Sequence, residues 1–238
     1  MPKTVKKRPA GRRSNIIKCL DAADSVDISE GRVSYWRYHE VLQGMAAFWK
    51  VDFEKCVAVF AALSPNIDYT GNLRSLASVL KGWTEGVDVN FVRVSGYNHC
   101  RDRAYQYLSG LDFLSSVKGP KIRSFYSNIL NPGDPGPVTI DGHAVNVWRG
   151  KPEVLKGVVG GFNYNVVVDD YRSVAREVGL LPNQVQSITC METNSQYRLC
   201  RAATNTIRRQ FGGPLANFAG SVDYYAFSIF RRTVVFFT

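Results

Sequence analysis

Apolar residues recur at helical spacing along most of the chain, and that pattern predicts an all-α, mainly helical protein. Tyr38, Leu42, Met45 and Trp49 share one helical face. Asp52 is placed to cap the next helix, whose apolar face is Phe53, Val57, Phe60 and Ala61. Leu73, Leu76, Ala77 and Leu80 form a third stripe, with Gly82 as its expected stop. Asn98 is expected to cap a fourth helix carrying Cys100, Ala104, Tyr107 and Leu111, and Ile122, Phe125 and Ile129 mark a fifth that ends at Asn131-Pro132-Gly133. Farther on, Val174, Ala175 and Val178 lie between Asp169-Asp170, which reads as a cap, and Gly179. Pro182 opens a last helical stretch with Val185, Ile188, Leu199, Ala203 and Ile207. Residues 83–95 and 158–168, rich in Val and Gly, are expected to be extended or loop. The aromatic run from Tyr224 to Phe237 is expected to pack back on the body, because left exposed it would aggregate.

A chain of 238 residues can bury a core as one domain or as two small packed lobes. The charge balance sharpens this picture: 30 Lys and Arg against 20 Asp and Glu leave a net +10, which favours a polyanionic partner. Residues 1–14 hold Lys3, Lys6, Lys7, Arg8, Arg12 and Arg13 without an acid, and Pro2, Pro9 and Gly11 oppose a packed helix. They read as a disordered basic arm over a phosphate backbone, or as a solvated tail. No apolar segment follows this basic start, so it is not a secretory signal, and no stretch is apolar enough to span a bilayer. The five cysteines are irregularly spaced, with no zinc-binding pair, which points to reduced thiols in a cytoplasmic protein.

Residues 111–149 carry the chemistry. A short apolar helix ends at Ser115-Ser116, Val117-Lys118-Gly119-Pro120 turns the chain, and a second helix starts near Pro120. Such a hairpin presents free backbone N–H groups and a positive helix end to a phosphate. A Gly/Pro loop follows, and Val138-Thr139-Ile140 delivers Asp141 to the start of another helix.

This order of hairpin, Gly-x-Lys, helix, Gly/Pro loop, apolar run and Asp-x-His resembles the helix-hairpin-helix-Gly/Pro-Asp superfamily of DNA glycosylases, which includes endonuclease III and the 8-oxoguanine glycosylases. The resemblance spans residues 61–149 and implies a two-lobed helical fold over residues 15–238. It implies Lys121, just after the hairpin glycine, as the nucleophile, and Asp141, closing the Gly/Pro loop, as the carboxylate that assists at the sugar. Lys118, Gly119 and His143 would then lie at the DNA. Ala62-Leu63-Ser64-Pro65-Asn66 is similar to the family loop whose polar residue wedges into the base stack, here Asn66. Gly96-Tyr97-Asn98, opening a helix with Arg101 and Arg103, is similar to a second loop that pushes on the opposite strand. The implied activity is excision of a damaged or modified base from double-stranded DNA by a monomer, with strand cleavage through a Lys Schiff base. The arrangement is also similar to proteins encoded by bacteriophages, which would place it in the host cytoplasm.

Three departures stand against the pattern. Val117 occupies the position of the usual first hairpin glycine, which bears on the turn and on any monovalent cation held by its carbonyls. Asn146 stands where the family often has Arg. The C-terminal four-cysteine cluster is absent, so no iron–sulfur cluster or other cofactor is expected. The alternatives are a monofunctional glycosylase in which Asp141 activates water and Lys121 is idle, a DNA-binding protein that keeps the fold without catalysis, such as a viral accessory or inhibitor, and a base-exchange or DNA-modifying enzyme in which a small amine or base replaces water.

Overall fold

The computed structural model describes residues 12–150 and 163–193, and among them every regular element is helical. In chain order these are α1 (Arg12–Ala22), α2 (Ser25–Trp49), α3 (Phe53–Leu63), α4 (Tyr69–Thr84), a 3-10 turn at Val89–Phe91, α5 (Asn98–Leu108), α6 (Phe113–Ser116), α7 (Pro120–Leu130), α8 (Gly142–Arg149), α9 (Tyr164–Val178) and α10 (Pro182–Thr193). The protein is therefore all-α among the described residues. They divide into two compact units: residues 12–34 with 133–150 and 163–193, and residues 35–132.

In the unit of residues 35–132 the core follows from α3. Its sequence is apolar on every side, and Cys56 to Ala61 together with Leu63 are all buried. A helix of that kind must be covered all round, and α4, α5 and α7 pack against it. Asp52 caps α3 by accepting from the Lys55 N–H, as its sequence position predicts. Tyr38, Phe60, Tyr69 and Phe125 meet edge-on or tilted at ring separations of 5.0–6.3 Å, the arrangement that aromatic quadrupoles favour.

The other unit is built on α1, α8, α9 and α10. Ile16, Ala144, Val145, Trp148, Val167, Tyr171, Val174 and Val185 fill its core. Here α2 crosses α10 at Gly31, where a Cβ would stand 2.7 Å from the Ile188 Cα, so the contact admits only glycine. Ser34 donates to Ser187 at 2.8 Å beside it.

Several sequence expectations need correction. Arg12, Arg13 and Ser14 are not part of a disordered arm; they form the first turn of α1. There the Arg12 guanidinium lies 4.1 Å from the centre of the Trp148 ring and Arg13 pairs with Glu177. Residues 1–11 lie outside the described residues. Gly82 does not stop α4, which runs on to Thr84; it is buried, and a Cβ there would meet Val92 and the Tyr105 hydroxyl. Asn98 is the first residue of α5, not its cap; Tyr97 occupies that position and makes no side-chain capping bond. Residues 164–168 are helical, since α9 begins at Tyr164 under an Asn163 cap. Asp169 and Asp170 therefore sit inside α9, Asp169 paired with Arg172 and Asp170 accepting from the Trp148 indole. Of residues 83–95, the first two finish α4, Val89–Phe91 make the 3-10 turn and the remainder is irregular. Residues 158–162, 199–207 and 224–237 lie outside the described residues.

Candidate functional site

Asp141 is positioned by a loop that propensity alone would leave loose. Val138, Thr139 and Ile140 are buried and bring the chain to Asp141, whose φ of −100° and ψ of −174° are extended. The Asp141 carboxylate then accepts from the Ala144 N–H at 2.9 Å and caps α8. Within the same unit, α9 ties the loop down. Arg172 donates through Nε to the Gly136 carbonyl at 2.9 Å, and its Nη2 reaches the same oxygen. The Tyr164 hydroxyl donates to the Val138 carbonyl at 2.8 Å and accepts from the Ile140 N–H at 3.2 Å. Tyr171 donates to the Ala144 carbonyl at 3.1 Å, and the Trp148 indole donates to Asp170 at 2.7 Å, so α8 is fixed as well.

Asp141 is half-buried, and its charge is felt inside the unit. Burial pushes the Tyr171 hydroxyl and the Cys190 thiol well above their ordinary ranges, and the nearby Asp141 carboxylate raises both further. Its second oxygen accepts no hydrogen bond among the described residues. His143 stands in the first turn of α8, half-buried.

The segment read as the hairpin lies in the other unit. Asp112 caps α6, accepting from the Ser115 N–H at 2.7 Å, and bonds from Ser115 hold its carboxyl below the usual carboxylate range. The chain turns through Val117, Lys118 and Gly119, and Pro120 opens α7. Val117 has φ −87° and packs on the core, so this turn does not require glycine at that position. Gly119 has φ −76° and a Cβ there would meet nothing, so neither backbone conformation nor packing among the described residues requires a glycine. Lys118 and Gly119 are exposed; Lys121, in the first turn of α7, is half-buried and makes no hydrogen bond or ion pair among the described residues.

Asn66 and Tyr97, predicted separately for two loops, meet. Asn66 adopts a φ of +58° in the turn after α3, and its Nδ2 donates to the Tyr97 hydroxyl at 2.9 Å. The Tyr97 ring stacks on His99 at 5.3 Å and 21°. Asn98 is exposed beside them. Arg101 is not available to a ligand: it is 7% exposed, donates to the Val92 carbonyl at 3.2 Å and is held by Asp102. Arg103 donates to Gln106 instead.

The structure thus brings together Asn66 with Tyr97, the hairpin residues Lys118 and Gly119 with Lys121, and Asp141 with His143. Lys121 and Asp141 belong to different units. Tyr164, which as a sequence position reads as a base-stacking or core aromatic, and Arg172 instead secure the loop before Asp141; their partners lie 26 and 36 positions away, beyond any local pattern.

Among the described residues no group of three or more His, Cys, Asp or Glu is placed to hold a metal ion, and no helix is long and apolar enough to cross a membrane. Cys56 and Cys100 are buried thiols that form no disulfide among the described residues. No curated protein matches the chain, and no solved structure matches it. A family profile does: the one described as "Family of unknown function (DUF7178)" matches residues 3–196, which is most of the chain, and the protein belongs to that family.

Proposed function

We propose that the protein is a DNA glycosylase that extrudes a damaged or modified base and cuts its bond to the sugar, with Lys121 as nucleophile. The observation that carries this reading is the state of Asp141. One of its carboxylate oxygens is spent on capping α8, the loop before it is tied down by Tyr164 and Arg172, and the second oxygen is left to act. A carboxylate held so firmly is suited to stabilising charge that develops on a sugar, because little reorganisation is needed at the moment of reaction.

Base excision has two physical demands. A base inside a duplex is out of reach, so unstacking it costs a few kcal/mol, which contacts to the bent duplex must offset. The exposed hairpin supports those contacts: an uncapped α7 N-terminus offers backbone N–H groups to a phosphate, and the open surroundings of Gly119 let a phosphate approach the chain. Asn66, on the same unit, would fill the space the base leaves.

The second demand is the bond itself. The unprotonated Lys121 amine attacks the anomeric carbon as the C–N bond to the base breaks, and the base departs with that electron pair and gains a proton. A carboxylate such as that of Asp141 stabilises a cationic sugar. The lysine nitrogen's lone pair then forms the C=N bond as the C1′–O4′ bond breaks and O4′ takes a proton, and loss of a 2′-proton from this Schiff base expels the 3′-phosphate and breaks the strand on its 3′ side.

Borohydride reduces a Schiff base to a stable amine, so trapping on an abasic duplex tests the nucleophile. A covalent protein–DNA adduct is expected with the natural chain and none with Lys121→Ala. An adduct that forms equally well in Lys121→Ala would show that residue 121 is not the nucleophile.

A further inference from the structure

Val138, Thr139 and Ile140 lead into Asp141 buried, none more than 4% exposed, yet they belong to no helix and no strand lies beside them among the described residues. Backbone N–H and C=O groups taken out of water in this way are costly unless paired. Here one side chain pairs two of them. The Tyr164 hydroxyl donates to the Val138 carbonyl at 2.8 Å and accepts from the Ile140 N–H at 3.2 Å, so it grips the chain on both sides of Thr139. A hydroxyl suits this position because it donates and accepts through one atom. Tyr164 is itself well held: it is the first residue of α9, it packs on the core, and Val167, Val168, Tyr171 and Val174 bury that helix. The residue after Ile140 is Asp141, whose carboxylate accepts from the Ala144 N–H at 2.9 Å.

We propose that Tyr164 is a positioning residue for Asp141: its hydroxyl fixes the backbone that sets where the second carboxylate oxygen points. The proposal rests on the excision reading for the chemistry of Asp141, and goes beyond it by assigning the alignment of that carboxylate to one hydroxyl on α9. Arg172 holds the Gly136 carbonyl, farther back in the loop, whereas Tyr164 holds the residue next to Asp141. Phenylalanine fills the place of the tyrosine ring without the hydroxyl, so Tyr164→Phe keeps the packing and leaves two buried polar groups unpaired. The segment relieves that cost by turning towards water, and Asp141 turns with it. Stabilisation of a developing charge depends on groups already in place, and a displacement of about 1 Å costs about a hundredfold in rate. Duplex affinity, on the same reading, comes from the exposed hairpin residues Lys118 and Gly119 in the other unit, which Tyr164→Phe leaves untouched.

The test compares the full natural chain with Tyr164→Phe and with Ser187→Ala, which removes the Ser34–Ser187 bond of the same unit and leaves the Tyr164 bonds intact. Amide exchange followed by NMR reads two backbone donors: Ile140, bound by Tyr164, and Ala144, bound by Asp141. Both should exchange at least about tenfold faster in Tyr164→Phe, beyond any change in global stability measured in urea. In Ser187→Ala they should follow global stability alone. Single-turnover release of a base from saturating duplex should fall by about thirtyfold to a hundredfold in Tyr164→Phe, with the duplex dissociation constant from anisotropy unchanged. Tyr164→4-aminophenylalanine keeps a donor for Val138; it should fall between the two, and it stands in if Tyr164→Phe does not fold. Faster exchange at Ile140 with Ala144 as protected as in the natural chain would overturn the proposal, since the hydroxyl would then hold the loop without holding Asp141. So would release by Tyr164→Phe at the natural rate. If the natural chain releases no base from any duplex, the excision reading fails, and exchange at Ala144 still decides whether Tyr164 holds Asp141 in place.

Discussion

Asn66 shows how a single residue carries two constraints. Its φ of +58° lies where most side chains clash with their own backbone, and its amide reaches the Tyr97 hydroxyl at 2.9 Å. Asn and Gly tolerate this conformation, whereas a β-branched residue does not. Asn66→Val is therefore expected to lose about 1–2 kcal/mol in urea denaturation, while Asn66→Gly keeps stability and loses only the link to Tyr97. Substitution can likewise separate the cap that Asp141 supplies to α8 from the catalytic role proposed for it. Asp141→Ala removes the cap on α8 and should cost roughly 1 kcal/mol of stability. Asp141→Asn keeps an oxygen to accept from Ala144 N–H, so it should unfold like the natural chain while base excision falls by about a hundredfold or more. Equal loss of stability in both variants would show that the capping bond is not what holds residue 141. Val117 makes a similar point about reading motifs. A residue at φ −87° needs no glycine, so this departure from the glycosylase pattern leaves the turn intact.

Among the elements, those with a strong apolar period were legible in the sequence. The stripes of α2, α3, α4 and α7 lie where the pattern puts them, packed on or forming the core around α3, whereas the α5 stripe is one residue too long: α5 ends at Leu108, and Leu111 lies beyond it, exposed. Boundaries fared worse where tertiary contacts override local chemistry. Gly82 looks like a helix stop, yet it is where α4 comes close to Val92 and Tyr105, and the left-handed glycine lies later, at Gly86. Asp169-Asp170 looks like a cap, yet both residues are inside a helix whose Asn163 cap lies a turn and more upstream. Helix α1 gave almost no signal, since only Ile16 of it is buried; it is held by partners far along the chain, including Trp148 and Glu177. The candidate site divides in the same way. Lys121 and Asp141 rest on the motif resemblance alone, whereas the bonds from Tyr164 and Arg172 that fix the Asp141 loop span too much sequence to show in any local pattern. The crossing of α2 and α10 gives an element-level prediction. Gly31→Ala forces a methyl group against the Ile188 backbone and should destabilise the protein by about 2–3 kcal/mol. A midpoint in urea equal to that of the natural chain would show that the two helices are farther apart than described.

For the molecule as a whole, charge and burial set the solution behaviour. A net +10 with an exposed basic hairpin predicts duplex affinity that falls linearly with the logarithm of salt concentration. Alkali should destabilise the fold. Burial, with Asp52 nearby, pushes the Cys56 thiol from 9.0 up to about 12. Burial and Glu54 likewise raise the Tyr126 hydroxyl. In each case the folded state keeps a proton that the unfolded chain releases, so the stability is fully present below pH 9 and is lost as pH rises towards 12. Urea midpoints measured from pH 8 upward should decline, and less steeply in Cys56→Ala. The excision chemistry itself is tested by mass analysis of the bases released from duplexes carrying a panel of damaged and naturally modified bases. The natural chain should release at least one of them, and Asp141→Asn should release almost none. Release that continues unchanged in Asp141→Asn, or no release from any duplex, would contradict base excision at Asp141.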